Sequence, residues 1–252
     1  MQFLVFQLQA PLAAWGEPAV GEFRGSADYP GESALIGLIG AALGVRRVEE
    51  GKHSALRAGY GFAVGVQSPG RMLRDYHTAQ VPGRSTLKGR PHATRKDELA
   101  VPRHELNTIL STRDYRQEAA CLVAVQPSEV APHTLDELAD ALRRPRFVLY
   151  LGRKSCPPAA PLFPQVMFAA SAREAFAGYQ AVLGSLSNRH TNRWGHPLVE
   201  IAGPVKRMAW GDRVDAGLVP HLSAPRKDRL IRRKSWQFGD RIEHVAVLEE
   251  EG

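Results

Sequence analysis

Four apolar runs of strand length and two helical stretches follow one another in the order β-α-β-β-α-β, and that order constrains the chain more than any other feature. Residues 2–9 (QFLVFQLQ) are rich in Phe, Leu and Val, stop before Pro11 and read as a buried strand. Residues 33–47 (SALIGLIGAALGVRR) read as a helix, with Ser33 as its N-cap and Arg46 and Arg47 at its negative end. This helix is apolar almost all round, so it belongs inside. Gly37, Gly40 and Gly44 recur at helical spacing, which predicts close approach of another backbone, from sheet packing or from a ligand. Residues 61–67 and 119–125 read as the second and third strands. Residues 134–144 form the clearest helix: Thr134 and Glu137 make a capping box, and Leu135, Leu138 and Leu142 share one stripe. Residues 147–151, after Pro145, complete the pattern as a fourth strand. The expected class is α+β and ferredoxin-like, the topology of RNA-recognition modules. That topology hosts many functions, and the chain lacks the RNP-type aromatic signature of an ordinary RNA-recognition motif.

The second and third strands should be joined by a short turn, yet residues 68–118 intervene, and a connection this long inside a domain is usually functional or mobile. It carries ten basic residues (Arg71, Arg74, Arg84, Lys88, Arg90, Arg95, Lys96, Arg103, Arg113, Arg116) against six acids. It reads as a protruding basic arm; a solvated loop without a partner is the competing reading. After Pro164 the pattern weakens. Residues 171–183 read as a helix with a Ser171–Glu174 capping box. Residues 198–201, 205–210 and 241–248 read as strands, 226–234 (RKDRLIRRK) is a basic segment, and 249–251 is acidic. The expected organisation is a ferredoxin-like RNA-binding domain over 1–165, with the arm inserted at 68–118, and a β-rich region over 166–252 packed on it.

The whole chain is basic, with 33 Lys and Arg against 26 Asp and Glu, a net charge of +7. That balance suits a polyanionic partner, although basic proteins without one are common. The two cysteines, Cys121 and Cys156, form no CxxC pair, so a reducing cytoplasm is the expected setting. No membrane span is expected: the longest apolar stretch, 34–45, is short and broken by glycines. The chain contains no GxxxxGK[ST] loop, HExxH or GxSxG, and the His190–His196 spacing fits no common zinc site. Neither a metal nor another cofactor is expected, and no catalytic residue is assigned.

Three clusters combine cations with aromatic rings, the pairing that holds phosphates and unstacked bases of single-stranded RNA. They are Arg74, Tyr76 and His77 in LRDYHT; Arg113, Tyr115 and Arg116 in TRDYR; and Arg146, Tyr150, Arg153, Lys154 and Ser155 in RFVLYLGRKSC. Half-buried packing of the tyrosines and local Arg–Asp pairing compete with this reading. A metal-independent ribonuclease is the enzymatic alternative, with Tyr76, His77 and Lys88 supplying a base and a cation by residue type. A scaffold whose basic patches meet acidic protein surfaces is a third reading.

The segments PLAAWGEP, YPGESALIGLIGAALGV, LRDYHT, ILSTRDYR and PRFVLYLGRKSCPPAAPL occur in that order. Together, over roughly residues 1–165, they resemble the CasD family of type I-E CRISPR Cascade complexes, within the RAMP superfamily; the remainder is similar only loosely. The resemblance implies a non-catalytic subunit that grips the 5′ repeat-derived handle of the CRISPR RNA. It implies contact with the Cascade backbone subunit and large subunit, and with target DNA through the complex. A separate subunit, CasE, cuts the precursor RNA in such systems, whereas relatives in type I-C systems process RNA themselves. Carried onto this chain, the handle contacts implied are Ser33, Gly37, Arg74, Tyr76, His77, Arg113, Tyr115, Arg116, Tyr150, Gly152, Arg153, Lys154 and Ser155, with Arg146 at the start of the last segment. The inserted arm corresponds to the family's thumb, and its basic tip (Arg84, Lys88, Arg90, Arg95, Lys96) is expected to meet RNA or a neighbouring subunit.

Overall fold

A strand of nearly continuous Phe, Leu and Val has to be covered on both faces, and the first strand occupies the interior of such a sheet. The computed structural model describes residues 1–17, 19, 21–189, 202–232 and 237–248. In chain order the elements are β1 (Gln2–Ala13), β2 (Trp15–Gly16), β3 (Phe23–Arg24), β4 (Ser26–Ala27), α1 (Glu32–Leu43), α2 (Glu50–Gly59), β5 (Tyr60–Ser68) and β6 (Arg71–Pro82). They continue with α3 (Arg95–Leu99), β7 (Leu106–Pro127), α4 (Leu135–Arg143), β8 (Gln165–Phe168), α5 (Ala172–Arg189), β9 (Arg207–Gly211), β10 (Leu222–Arg232) and β11 (Gln237–Val247). One mainly antiparallel sheet runs β10-β11-β9-β5-β7-β1-β8, with β6 and the short parallel β3 also paired to β7. Leu4, Phe6 and Leu8 of β1 enter a core cluster with α1 and α4, while Phe3 and Val5 enter another with Phe176 and Tyr179 of α5. The predicted order β-α-β-β-α-β is present in β1, α1, β5, β7, α4 and β8, within an open antiparallel α+β sheet.

Locally encoded features match the structure. Thr134 Oγ1 accepts from the Glu137 N–H at 3.2 Å, and Glu137 Oε2 accepts from the Thr134 N–H at 2.7 Å, closing the predicted capping box. At α5 the box is shifted: the Ser171 hydroxyl accepts from Glu174 N–H, but the Glu174 carboxylate accepts from Ala170 N–H. Several expectations are corrected. Ser33 lies inside α1, whose N-cap is Gly31 without a side-chain cap bond. The three glycines of α1 meet no foreign backbone. Gly40 faces His53 and Leu56 of α2, Gly44 takes the left-handed C-cap position against the Arg146 side chain, and Gly37 opens onto free space. α2 escaped prediction because Leu56 is its one large apolar anchor.

The expected fourth strand over 147–151 is absent. There the Arg146 and Phe147 N–H groups donate to the Ala42 and Ala41 carbonyls in the last turn of α1. The fourth strand is β8, paired with β1 from Gln2↔Phe168 to Val5↔Gln165. The expected strands at 205–210 and 241–248 correspond to β9 and β11. The expected strand at 198–201, the His190–His196 pair and the acidic run 249–251 lie outside the described residues, as do positions 233 and 234 of the basic segment.

The rest of that segment, 226–232, is the end of β10: Arg226, Asp228 and Arg229 are half-buried against internal partners, while Lys227 and Arg232 are exposed. The Arg241 side chain is 6% exposed and donates to Asp228 at 2.6 and 2.9 Å and to Glu243 at 2.6 Å. Burial alone would lower the Arg241 guanidinium, but its bonds to Asp228 and Glu243 outweigh that and hold it above its ordinary value. Glu243 also accepts from Arg226 at 2.9 Å and from the Tyr29 hydroxyl at 2.8 Å. Asp228 Oδ2 accepts from the Glu32 N–H at 2.9 Å, so a carboxylate distant in sequence caps the N-terminus of α1. A buried charge without its partner is costly, so Asp228→Ala is expected to lose about 3–5 kcal/mol of unfolding free energy. Tyr29→Phe, which removes one hydroxyl, should lose about 1 kcal/mol. Urea denaturation of both variants checks this; equal losses would show that Asp228 does not hold the β10–β11 hairpin to α1.

Candidate nucleic-acid interface

The long insertion is a β-ribbon. β6 pairs with the first half of β7 from Arg71↔Gln117 to Pro82↔Leu106, and the tip between them holds α3 with a Thr94–Asp97 capping box. Successive residues of a strand point to opposite faces, and directly opposed residues share one. Arg74 and Tyr76 therefore share a face with Thr112, Asp114 and Arg116, while Asp75 and His77 share the other with Ser111, Arg113 and Tyr115. This divides the clusters grouped by sequence: His77 is parted from Arg74 and Tyr76, and Arg116 from Arg113 and Tyr115. Tyr76 and His77 do not converge on one point, and Lys88 stands beyond them in the tip turns.

On the first face, Arg74 donates from Nε and Nη2 to Asp114 at 2.8 and 3.0 Å, and its guanidinium lies 5.2 Å from the centre of the Phe23 ring. Arg116 donates to the Ser26 and Ala27 carbonyls at 3.2 and 3.3 Å. The Asp114 side chain is 3% exposed, and the bonds from Arg74 hold its carboxyl below the usual range. Between this face and residues 23–29 lies an open cleft of about 500 Å³ lined by Phe23, Tyr29, Met72 and Arg74, among others.

On the second face, Arg153 reaches back from the loop after α4. It donates to the Asp114 carbonyl and the Arg24 carbonyl, each at 3.1 Å, and its guanidinium sits 4.5 Å from the Tyr115 ring centre. The loop is closed by Cys156 N–H to the Arg153 carbonyl at 2.9 Å and by Leu151 N–H to the Cys156 carbonyl at 2.7 Å. Its turn depends on Gly152, at φ +86°, where a Cβ would lie 1.7 Å from the Ala14 carbonyl oxygen. Lys154 and Ser155 are exposed at its crest, and Tyr150 is 37% exposed beside them.

The remaining candidates are scattered. Ser33 and Gly37 are half-buried on α1. Arg146 lies over Gly44 at the opposite end of that helix. At the ribbon tip Arg95 pairs with Glu98 at 2.7 Å and also donates to the Gln80 carbonyl, and Arg90 donates to the Ala100 carbonyl at 3.4 Å. Arg84, Lys88 and Lys96 are exposed, with no ion pair to a described residue. Phe23 and Met72, 44% and 52% exposed, went unnoticed in the sequence: Phe23 stands alone in a Gly/Pro-rich stretch, and only its pairing with β7 brings it to the ribbon. Among the described residues no group of three or more His, Cys, Asp or Glu side chains is placed to hold a metal ion. Both cysteines are buried thiols, and burial pushes Cys121 up to about 12.

Two outcomes follow from this geometry. Because Asp114 is held below its unfolded value, its contribution is present above the unfolded carboxylate range, near pH 4, and is lost as pH falls through the folded value. The thermal midpoint should therefore fall more steeply on acidification from about pH 5 to 3 in the wild type than in Asp114→Asn; parallel curves would remove Asp114 as the source. Gly152→Ala places a methyl against a backbone carbonyl and should cost roughly 3 kcal/mol or more, read by chemical denaturation.

Comparison with known proteins gives consistent matches. The family model described as CRISPR-associated protein (Cas_Cas5) matches residues 3–229. The Cascade subunit CasD of Escherichia coli strain K12 is 32% identical over 204 residues, covering 78% of this chain and 84% of that protein. A chain of a solved CRISPR RNA-guided surveillance complex superposes with a TM-score of 0.60 at 24% identity, over 97% of this chain and 89% of that one. A crystal structure of a Cas protein superposes with a TM-score of 0.55 at 21% identity, over 99% and 96% of the two chains. The structural matches support the open antiparallel α+β architecture.

Proposed function

The chain belongs to the Cas5 family of CRISPR-associated proteins, and on that premise we propose that it is the Cascade subunit that grips the 5′ handle of the CRISPR RNA without cutting it. The observation that carries this reading is the Gly152 loop. Arg153 anchors it on the ribbon base, so Lys154, Ser155 and Tyr150 stand exposed at a fixed place beside the ribbon. An ammonium, a hydroxyl and a half-exposed ring are the groups that take up the backbone and an unstacked base of single-stranded RNA. Arg113, on the same ribbon face as Tyr115, and Arg84, Lys88 and Lys96 at the tip extend the positive surface.

The ribbon suits a second task, docking on a neighbouring Cascade subunit. Leu73 and Ile109 are exposed on its second face at 38% and 50%, and such apolar groups rimmed by charge fit a protein interface. The non-catalytic reading is supported by the faces of the ribbon, because the pairing register puts Tyr76 and His77 on opposite ones. Base selectivity for a target belongs to guide pairing in the assembled complex rather than to this subunit.

The test is a titration of the purified chain with end-labelled repeat and handle RNA at several salt concentrations, with and without chelator. Handle RNA should shift without new fragments. Lys154→Ala should weaken binding and flatten the log–log salt slope by about 0.7, the contribution of one phosphate contact on a single strand. An unchanged slope would remove Lys154 from the interface. Fragments of one defined length that persist in chelator and vanish with His77→Ala would replace this reading with a processing ribonuclease.

A further inference from the structure

The chemistry of the cleft on the first ribbon face is wrong for phosphate. Its lining carries four carboxylates, Glu17, Asp28, Asp114 and Glu243, against three guanidinium groups, Arg74, Arg116 and Arg226. Each of those guanidinium groups is already committed: Arg74 to Asp114, Arg226 to Glu243, and Arg116 to two backbone carbonyls. Asp28 and Glu243 are paired in turn with Arg207 and Arg241, so a phosphate entering here would meet only cations already bonded within the protein. The cleft instead offers flat, polarizable walls. Phe23 and Met72 are 44% and 52% exposed, and the Arg74 guanidinium lies 5.2 Å from the Phe23 ring centre while Asp114 holds it in place. A volume of about 500 Å³ admits a single nucleotide but is too small for a stacked run.

We infer that this cleft takes one nucleobase, turned out of the bound RNA and stacked on Phe23 and Met72. The inference rests on the RNA-binding reading above and adds a base subsite to it. A neutral planar ring is the part of a nucleotide that loses nothing by meeting paired charges, and stacking on an aromatic side chain is how such bases are held. One acceptor remains for its edge. The Glu17 carboxylate is in no ion pair with a described residue, and it sits beside the Phe23 ring: a Cβ placed on Gly25 would lie 2.8 Å from Glu17 Oε2 and 3.1 Å from a Phe23 ring carbon. A carboxylate accepts from an exocyclic amine, which cytosine, adenine and guanine carry and uracil lacks, so the subsite favours those three over uracil.

A set of handle RNAs, each with one abasic nucleotide, titrated against the full chain and against Phe23→Ala, tests this. Phe23 is exposed enough for the substitution to leave the fold intact, which a matched thermal midpoint confirms. In the wild type one abasic position should weaken binding roughly ten-fold, the effect of losing one stacked base. In Phe23→Ala that same position should cost nothing further, the signature of two groups acting through one contact. Uridine at that position should bind more weakly than cytidine, and Glu17→Gln should narrow the difference. If every abasic penalty persists unchanged in Phe23→Ala, the subsite is overturned while RNA binding stands. If uridine and cytidine bind equally at the sensitive position, the role of Glu17 is overturned. If the wild-type chain shifts no RNA, the subsite falls together with the reading on which it rests.

Discussion

The buried guanidinium of Arg241 fixes how the two ends of the chain meet. A charge taken out of water is tolerated only when its hydrogen-bonding capacity is met by well-placed partners. Arg241 meets that demand with Asp228 and Glu243, and those carboxylates reach on to Tyr29, Arg226 and the first N–H of α1. The YPGE stretch at 29–32 thereby acquires a role for three of its four residues. Tyr29 donates its hydroxyl to Glu243. Gly31 leaves room for Asp228, whose Oδ2 would lie 2.4 Å from a Cβ there. Glu32 supplies the capped N–H, and its carboxylate faces Arg229 at 3.4 Å. The segment that walls the cleft is thus held by strands from the far end of the chain.

Features with a local cause were legible in the sequence. The apolar run at 2–9 and the Thr134–Glu137 box needed no knowledge of distant residues, because burial on two faces and a capped first turn are written in a few adjacent positions. The family resemblance was legible for the same reason, in short motifs of fixed order. What escaped depended on distant partners. The run 147–151 is as apolar as a strand, but the N–H groups of Phe147 and of Arg146 before it went to the last turn of α1, and nothing within the run reveals that. β10 read only as a basic segment, because two of the carboxylates that pair with its arginines, Glu32 and Glu243, lie elsewhere in the chain. The clusters around Tyr76 and Tyr115 were read as groups of neighbours, and the pleat of a ribbon without apolar alternation separated them.

A count of basic residues therefore overstates the charge available to a polyanion. Arg74, Arg116, Arg153, Arg226 and Arg241 all serve internal partners, and each shapes a surface rather than offering a free cation. Lys154, Arg84, Lys88 and Lys96 remain exposed, at the loop crest and at the ribbon tip. The division is physically sensible. A planar guanidinium with several donors suits fixed, multi-partner roles, whereas a flexible ammonium suits a mobile, hydrated phosphate.

The length of β7 couples regions usually treated apart. This single strand of 22 residues, about 70 Å if fully extended, lies between β5 and β1 in the sheet and also forms one rail of the ribbon. Its one residue at positive φ is Glu118, at +56°, beside Gly70, at φ +68°, where β5 gives way to β6. The ribbon is thus a lever with a defined fulcrum and no slack joint. A load taken at the tip is transmitted along a covalent rail into the middle of the sheet, and the pitch of the arm is set by two residues at its root.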